Sequence, residues 1–456
     1  MTTDVTPVIP RARIAELLAA EEQRFVTAHP GSAQLAADAR RHLLGGVPMP
    51  WMTRWPGPFP VFFTEAGGAR FIDADGIEYV DFCLGDTGAM AGHALEAVGD
   101  ALHRQARRGI TTMLPNSDAA WVAEELTDRF GLPVWQMAMT ATDANRFVLR
   151  LARQITGRRL IAVIDWCYHG TVDETLAVLD TDGRVVPRPG AIGAPVDVAS
   201  TTRVVPFNDL PAMRAALADE QVAAVLLEPA LTNIGIVLPD NGYHAELREI
   251  TRETGTLLFV DETHTICAGP GGCTAAWGLE PDMFVIGKAI GGGMPAAAYG
   301  MSAAVAARAE LLTATSAVDV SGIGGTLTGN ALAMAAVRAT LSTSLRAEDY
   351  ARMIPLAAAW TDGVRRGYEA VGFDWHVQQL GARAEYWFSP PPRTGAQAAA
   401  AGDAELERLM HLWALNRGIL LTPFHNMALF SPHHRPADVE RHDEVFAAAC
   451  AALAAG

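Results

Sequence analysis

Five short apolar runs constrain this chain most: Leu160 to Ile164, Arg203 to Val205, Val222 to Leu227, Thr256 to Val260 and Met283 to Ile286. Stretches of helical periodicity separate most of them. Strands that are apolar on both faces and alternate with helices form mostly parallel sheets covered on both sides. The fold class expected is therefore α/β. In such sheets ligands sit beyond the carboxyl ends of the strands. Polar residues gather at those ends here: Asp165 to His169, Glu228, Asp261 and Lys288.

The flanking sequence reads differently. Ile14, Leu17, Leu18, Phe25 and Val26 are spaced for a helix, and with no partner helix close behind, that helix is expected to lie on a partner surface. Val47 to Pro60 is rich in proline and tryptophan, which excludes helix and central strand and points to the wall of an interface or a pocket. Val61 to Phe63, Ala69 to Ile72 and Glu78 to Phe82 read as a small antiparallel sheet, with Asp75-Gly76 supplying a hairpin turn. Beyond residue 335 helices dominate (Ala331 to Leu341, Ala351 to Val371), followed by strand-like Ala384 to Phe388 and Ile419 to Leu421 and a last helix from Val439 to Leu453. Ala396 to Ala401 reads as a surface loop or helix start. Three segments are expected: 1–84, a helix and small sheet that pack with the small domain; 85–338, a large domain; and 339–456, a small α+β domain.

A net charge of −16 argues against nucleic acid or an anionic membrane surface as the main partner. Five cysteines, an odd number without a CxxC, read as reduced thiols in a cytoplasmic protein rather than a disulfide framework or a zinc site. No signal peptide pattern opens the chain, no apolar run is long enough to span a bilayer, and no metal site is expected.

Lys288 is the only lysine; of 35 basic residues the other 34 are arginines. Arginine stays protonated and cannot serve as an amine nucleophile, whereas a lysine beside apolar sequence can lose its proton and attack a carbonyl. Lys288 follows a buried strand and precedes Gly291, Gly292 and Gly293. Composition alone allows a leftover lysine. Its company is more telling. Thr140 to Ala144 opens a helix whose apolar residues are Ala144, Phe147, Val148, Leu151 and Ile155. Such a start caps free N–H groups and also suits a phosphate. Trp166-Cys167-Tyr168-His169-Gly170 follows a strand and could pack or stack on a planar ring, and Glu228 and Asp261 each end a strand. A buried carboxylate needs a cation, either an arginine or a protonated ring nitrogen.

On this order of features the chain resembles the class III aminotransferases of the pyridoxal-phosphate-dependent, aspartate-aminotransferase-like fold (fold type I), from FIDADGIEYVDF at 71–82 to the C-terminal helix. The specific parts are VDE at 260–262, IGKAIGGGMP at 286–295, AAYG at 297–300 and GTLTGNALAM at 325–334. The last two resemble the branch of glutamate semialdehyde aminomutase and the β-amino acid aminotransferases. The resemblance implies pyridoxal 5'-phosphate as cofactor. Lys288 would bind it as a Schiff base and shuttle the proton. Asp261 would pair with the pyridinium nitrogen and Glu228 would support the ring. Tyr168 would stack on one ring face. Ala141 and Thr142 would hold the phosphate, and Thr326 would reach the phosphate of the neighbouring subunit in a homodimer.

The chain departs from the family in three places. Thr140-Ala141-Thr142-Asp143-Ala144 replaces Ser-Gly-Thr-Glu-Ala, and Thr263 stands where a valine meets the ring. No arginine occupies the substrate-carboxylate positions, which fall near Trp51 and Phe424; Arg54 and His425 lie close by. With Trp55, these residues imply a pocket of aromatic character for a bulky amine or β-amino acid. Three functions are therefore weighed: an aminotransferase working through a ping-pong cycle, an aminomutase of the glutamate semialdehyde type, and a non-catalytic binding protein on the same scaffold.

Overall fold

The computed structural model describes residues 9–194, 196–314 and 321–455. The chain divides into two compact units. The larger runs from Glu96 to Ala347 and takes in Pro392–Ala400; the smaller holds the chain up to Leu95, Glu348–Pro391 and the stretch from Ala401 onward. The divisions expected after 84 and after 338 thus fall at 95 and 347.

The larger unit is built on a seven-stranded sheet. Its strands are β1 (Val134–Ala138), β2 (Leu160–Ile164), β3 (Thr202–Val205), β4 (Val222–Leu227), β5 (Leu257–Asp261), β6 (Met283–Ile286) and β7 (Ala297–Met301). The order across the sheet is β1-β7-β6-β5-β4-β2-β3. β7 runs antiparallel to both neighbours, and all other pairings are parallel. Every residue of β4, β5, β6 and β7 is buried. That double-sided burial is why these strands read as unbroken apolar runs rather than as an alternation.

Two strands escape the sequence pattern. β1 carries Trp135 and Gln136 in place of a β-branched run, and β7 is Ala-Ala-Tyr-Gly-Met. Neither has the composition that marks a strand. Gly300 has a packing reason: a Cβ there would lie 2.9 Å from the Trp135 ring on the paired strand.

In the smaller unit, strands Phe63–Gly67, Arg70–Asp73 and Glu78–Asp81 form an antiparallel sheet, extended by the parallel two-residue strand Ile419–Leu420; the first strand, expected at 61–63, lies at 63–67 instead. Gly76 takes the left-handed conformation of the turn, with φ 79°. Its neighbour Asp75 does a second job, accepting from the N–H groups of Gly31 and Ser32 at the start of the helix Pro30–Ala39. A three-stranded sheet, His376–Leu380, Arg383–Trp387 and Met427–Leu429, completes the unit.

The N-terminal helix spans Arg11–Ala28 and buries Ile14, Leu18 and Phe25. The expectation that it lies on a partner surface is corrected here. It packs along the helix Ala404–Leu415 of its own chain, and Glu21 pairs with Arg417 at 2.8 Å and with the Asn416 side chain at 2.6 Å. The partner was invisible in sequence because it arrives nearly 400 residues later. Likewise, a short helical turn, Pro50–Arg54, interrupts the proline-rich passage, with Pro50 at its first position. Ala396–Ala401 falls largely in a short helix, Gly395–Ala400.

All five cysteines are buried and outside any disulfide. Among the described residues no helix is long and apolar enough to cross a membrane.

The centre of the large sheet carries the stability of its unit. Leu226→Ala, at a fully buried position of β4, is expected to cost about 2–5 kcal/mol in urea unfolding of the cofactor-free protein. Val26→Ala, at a position 44% exposed, should cost less than about 0.5 kcal/mol. Equal effects at the two sites would contradict this account of the core.

Candidate active site

Adjacent parallel strands deliver their carboxyl ends to one edge. Asp261 ends β5 opposite Val285 of β6, and Lys288 follows β6 after Ile286 and Gly287. Leu227 of β4 pairs with Val260, so Glu228 and Asp261 leave neighbouring strands side by side. Lys288 sits at φ 47°, in the left-handed region. For a residue with a Cβ this costs about 1–2 kcal/mol and persists only where surroundings enforce it. Gly287 before it is a close-approach glycine. A Cβ there would stand 3.1 Å from the Ala141 Cβ and 3.3 Å from its nitrogen.

Asp261 is the electrostatic centre. Its Oδ2 accepts from Asn145 Nδ2 at 2.8 Å and from His169 Nδ1 at 2.9 Å, and its Oδ1 accepts from the Thr263 N–H at 3.1 Å. Burial by itself would raise the Asp261 pKa. The imidazole's hydrogen bond and charge, with the Thr263 and Asn145 bonds, outweigh burial and bring it down to about 2. Burial likewise opposes the charged form of His169, but the Cys167 sulfur and the Asp261 carboxylate prevail and raise it to about 10. The pair is held as carboxylate and imidazolium.

The turn carrying Tyr168 locks onto the start of the helix Ala141–Thr156. Thr142 Oγ1 accepts from the Thr171 N–H at 3.1 Å, and a Cβ on Gly170, at φ 79°, would fall 2.0 Å from that oxygen. Only glycine fits that approach. Thr140 caps the helix. Its hydroxyl accepts from the Asp143 N–H at 3.1 Å and donates to the Asp143 carboxylate at 3.0 Å. The sequence departures at 140–144 thus form a closed cap, and Ala141 is accommodated by Gly287 across from it. Tyr168 is half-buried. Arg188 donates to the Cys167 carbonyl at 2.6 Å with its guanidinium over the Trp166 ring.

Glu228 is buried and accepts from the Thr232 hydroxyl. Thr263 is buried, and its Oγ1 has no hydrogen-bond partner among the described residues. Thr326 is exposed in the loop before the helix Ala331–Thr343.

The residues expected to shape a substrate pocket belong to the smaller unit. Trp51 meets Phe424 edge-on, with ring centroids 5.6 Å apart. Arg54 is exposed, Trp55 is half-buried, and His425 is buried with its Nδ1 3.0 Å from Glu385.

Two residues of the larger unit went unsingled in the sequence. Asn145 is fully buried beside the apolar stripe of its helix, and a lone buried amide was the available signal. His264 Nε2 lies 2.8 Å from Lys288 Nζ; nothing in sequence spacing announces that contact.

The sequence matches the aminotransferase class-III family over residues 51–363. Glutamate-1-semialdehyde 2,1-aminomutase from Thermomicrobium roseum is 34% identical over 431 residues, 93% of this chain and 99% of the relative. A crystal structure of a glutamate-1-semialdehyde aminomutase from Pseudomonas aeruginosa matches with a TM-score of 0.96 at 50% identity, over 98% of this chain and 99% of that one. A lysine-to-alanine variant of that protein has been solved in complex with PMP. β-Phenylalanine aminotransferase from Variovorax paradoxus matches with a TM-score of 0.84 at 27% identity, over 95% of this chain and 97% of that one.

The Asp261–His169 pair gives stability a defined pH dependence. Asp261 titrates lower folded than its ordinary 3.8, so its contribution is complete above that value and is lost as pH falls toward 2. His169 titrates higher than its ordinary 6.5, so its contribution is complete below that value and is lost as pH rises through 10. His169→Ala should therefore cost about 3 kcal/mol near pH 6, because it strands a buried carboxylate. The gap to wild type should narrow at both extremes. Urea titrations across the pH range check this; a gap that stays constant with pH would refute the ion-pair assignment.

Proposed function

The chain belongs to the class III aminotransferases of fold type I, and from that membership we propose that it moves an amino group between an amine or β-amino acid and a keto acid, ketone or aldehyde. Its cofactor is pyridoxal 5'-phosphate. One observation carries the proposal: the only lysine stands at the carboxyl end of β6, beside the strand that ends in a buried, ionised aspartate.

The residues present fit the cofactor. Thr263 Oγ1 and Asn145 Oδ1 are buried polar atoms with no hydrogen-bond partner among the described residues, and a buried polar atom of that kind needs an explanation. When bound, pyridoxal phosphate supplies an aldehyde carbon for amino groups and an electron-withdrawing ring.

The rest is the protein's work. Lys288 holds the cofactor covalently and carries the proton that moves during transfer. Asp261 keeps its negative charge for the ring nitrogen, and His169 and Asn145 fix its direction. The Ala141 and Thr142 N–H groups at a helix start, with the Thr142 hydroxyl, take the phosphate. Tyr168 would cover one ring face, Thr263 would lie against the ring, and Glu228 would support it beside Asp261.

A homodimer is the proposed active unit, with Thr326 reaching the neighbouring copy's phosphate. In the single chain Met113 is 78% exposed and Leu114 73% exposed. The Ile110 carbonyl of the same segment accepts from Ala331, just past the Thr326 loop. Apolar exposure of that kind supports an interface. Trp51, Arg54, Trp55, Phe424 and His425 are proposed to select the substrate, and the Trp51–Phe424 ring contact supports a bulky or aromatic one. Catalysis in the cytoplasm is part of the same reading.

The relatives' names favour a second reading, an aminomutase acting on glutamate 1-semialdehyde. The two separate on the need for an acceptor. A transferase turns over an amine panel beyond one equivalent per site only when a second carbonyl compound is supplied, whereas a mutase isomerises its substrate alone. We expect acceptor-dependent turnover that falls about 10³-fold or more in Lys288→Ala. Isomerisation of the semialdehyde without acceptor, together with silence toward the amine panel, would install the second reading.

A further inference from the structure

The Lys288 amine has a partner that no part of the proposed reaction uses. His264 Nε2 lies 2.8 Å from Lys288 Nζ. Two nitrogens at that distance share one hydrogen, so one of them must offer a lone pair. A protonated amine donates to a neutral imidazole; a protonated imidazole donates to a neutral amine. Both cannot be charged while the bond stands.

Each side of the contact is held in place. His264 is 8% exposed. Its flanks are tied down by the Thr263 N–H on Asp261 and the Ile266 N–H on the Glu262 carbonyl at 3.0 Å. Its own carbonyl accepts from Cys267 at 3.3 Å. On the other side, the left-handed backbone at Lys288 aims the side chain. A nucleophile within hydrogen-bond reach of a fixed base is the arrangement that amine activation requires.

The neighbouring carboxylates have contacts of their own. Asp261 is held by His169 and Asn145. Glu262 is held by the Thr265 hydroxyl and the N–H groups of Cys273 and Thr274. Glu228 accepts from Thr232. The Cys273 thiol lies near Glu262 and Glu228, and burial with the adjacent negative charge raises it well above its ordinary value.

We propose that His264 is the proton partner and positioning residue of Lys288: the pair carries one positive charge between its two nitrogens, and the imidazole takes the proton that the lysine must shed before bonding to carbon. The Nζ–H bond breaks and the Nε2–H bond forms. The electron pair stays on Nζ, and the charge passes from lysine to histidine. This rests on the reading of Lys288 as the cofactor lysine.

The test uses the cofactor-free protein. Proton NMR of the imidazole C–H signals, with His264 assigned by its loss in His264→Gln, follows protonation in wild type, Lys288→Ala and Lys288→Arg. In wild type and in Lys288→Arg, His264 should take up its proton at least one pH unit lower than in Lys288→Ala, because the neighbouring cation suppresses it. Identical titration in all three proteins would overturn the shared charge. A second measurement isolates the proton transfer. His264→Gln keeps a hydrogen-bonding side chain but cannot take a proton, and should attach pyridoxal phosphate to Lys288 tenfold or more slowly with the final amount unchanged. An unaltered rate would overturn the base role. Failure of the underlying reading looks different: cofactor would attach covalently even to Lys288→Ala.

Discussion

The site depends on keeping one carboxylate charged at the buried end of a strand. Asp261 is 4% exposed, and an ion in such a place is tolerated only when paired and fully hydrogen-bonded. The donors come from three directions. His169 arrives from the turn after β2, Asn145 from the helix after β1, and the Thr263 N–H from the chain just beyond β5. The His169 bond needs β5, β4 and β2 in their observed order, and the Asn145 bond needs the helix after β1 packed beside them. The charge therefore ties the chemistry to the topology. Misplacing the sheet by one strand would leave a buried ion without a partner.

Close backbone approach is the second constraint, and it explains the residues at the turns better than flexibility does. Gly170 lets the Tyr168 turn settle on the Thr142 oxygen. Gly287 lets the end of β6 pass the first residue of the phosphate-type helix. With both contacts made, the Tyr168 turn and the Lys288 turn are referenced to one helix start, and Lys288 is pressed into a backbone conformation it would not choose. Strain at that point has a use: the amine is aimed before any ligand arrives.

Sequence periodicity exposed the fold mainly where burial was two-sided. β2, β4, β5 and β6 were legible as apolar runs because their burial is two-sided, and β3 because its Val204 and Val205 are buried. β7 is as deeply buried but is built of alanine, tyrosine, glycine and methionine, and β1 is only partly buried, with Gln136 exposed, so neither shows such a run. The chemistry was legible where residue type alone narrows the role, as with a sole lysine and a carboxylate closing an apolar run. It was illegible where the role depends on a pairing across distance. Asn145 meets Asp261 across 116 residues, Arg417 meets Glu21 across 396, and His264 meets Lys288 across 24 that include a helix and β6.

These pairings also bear on how the site balances its charge. The Asp261 carboxylate is offset by the His169 imidazolium, so that part of the site is neutral before a cofactor binds. Glu262, fully buried, is pushed upward by burial and is steadied by hydroxyl and main-chain donors. In the proposed reading, a protonated ring nitrogen beside Asp261 would share a carboxylate that already has a cation, so its position would depend on geometry as much as on charge. Asn145 and the Thr263 N–H, which bond Asp261 without adding charge, set that geometry and help His169 keep the carboxylate ionised.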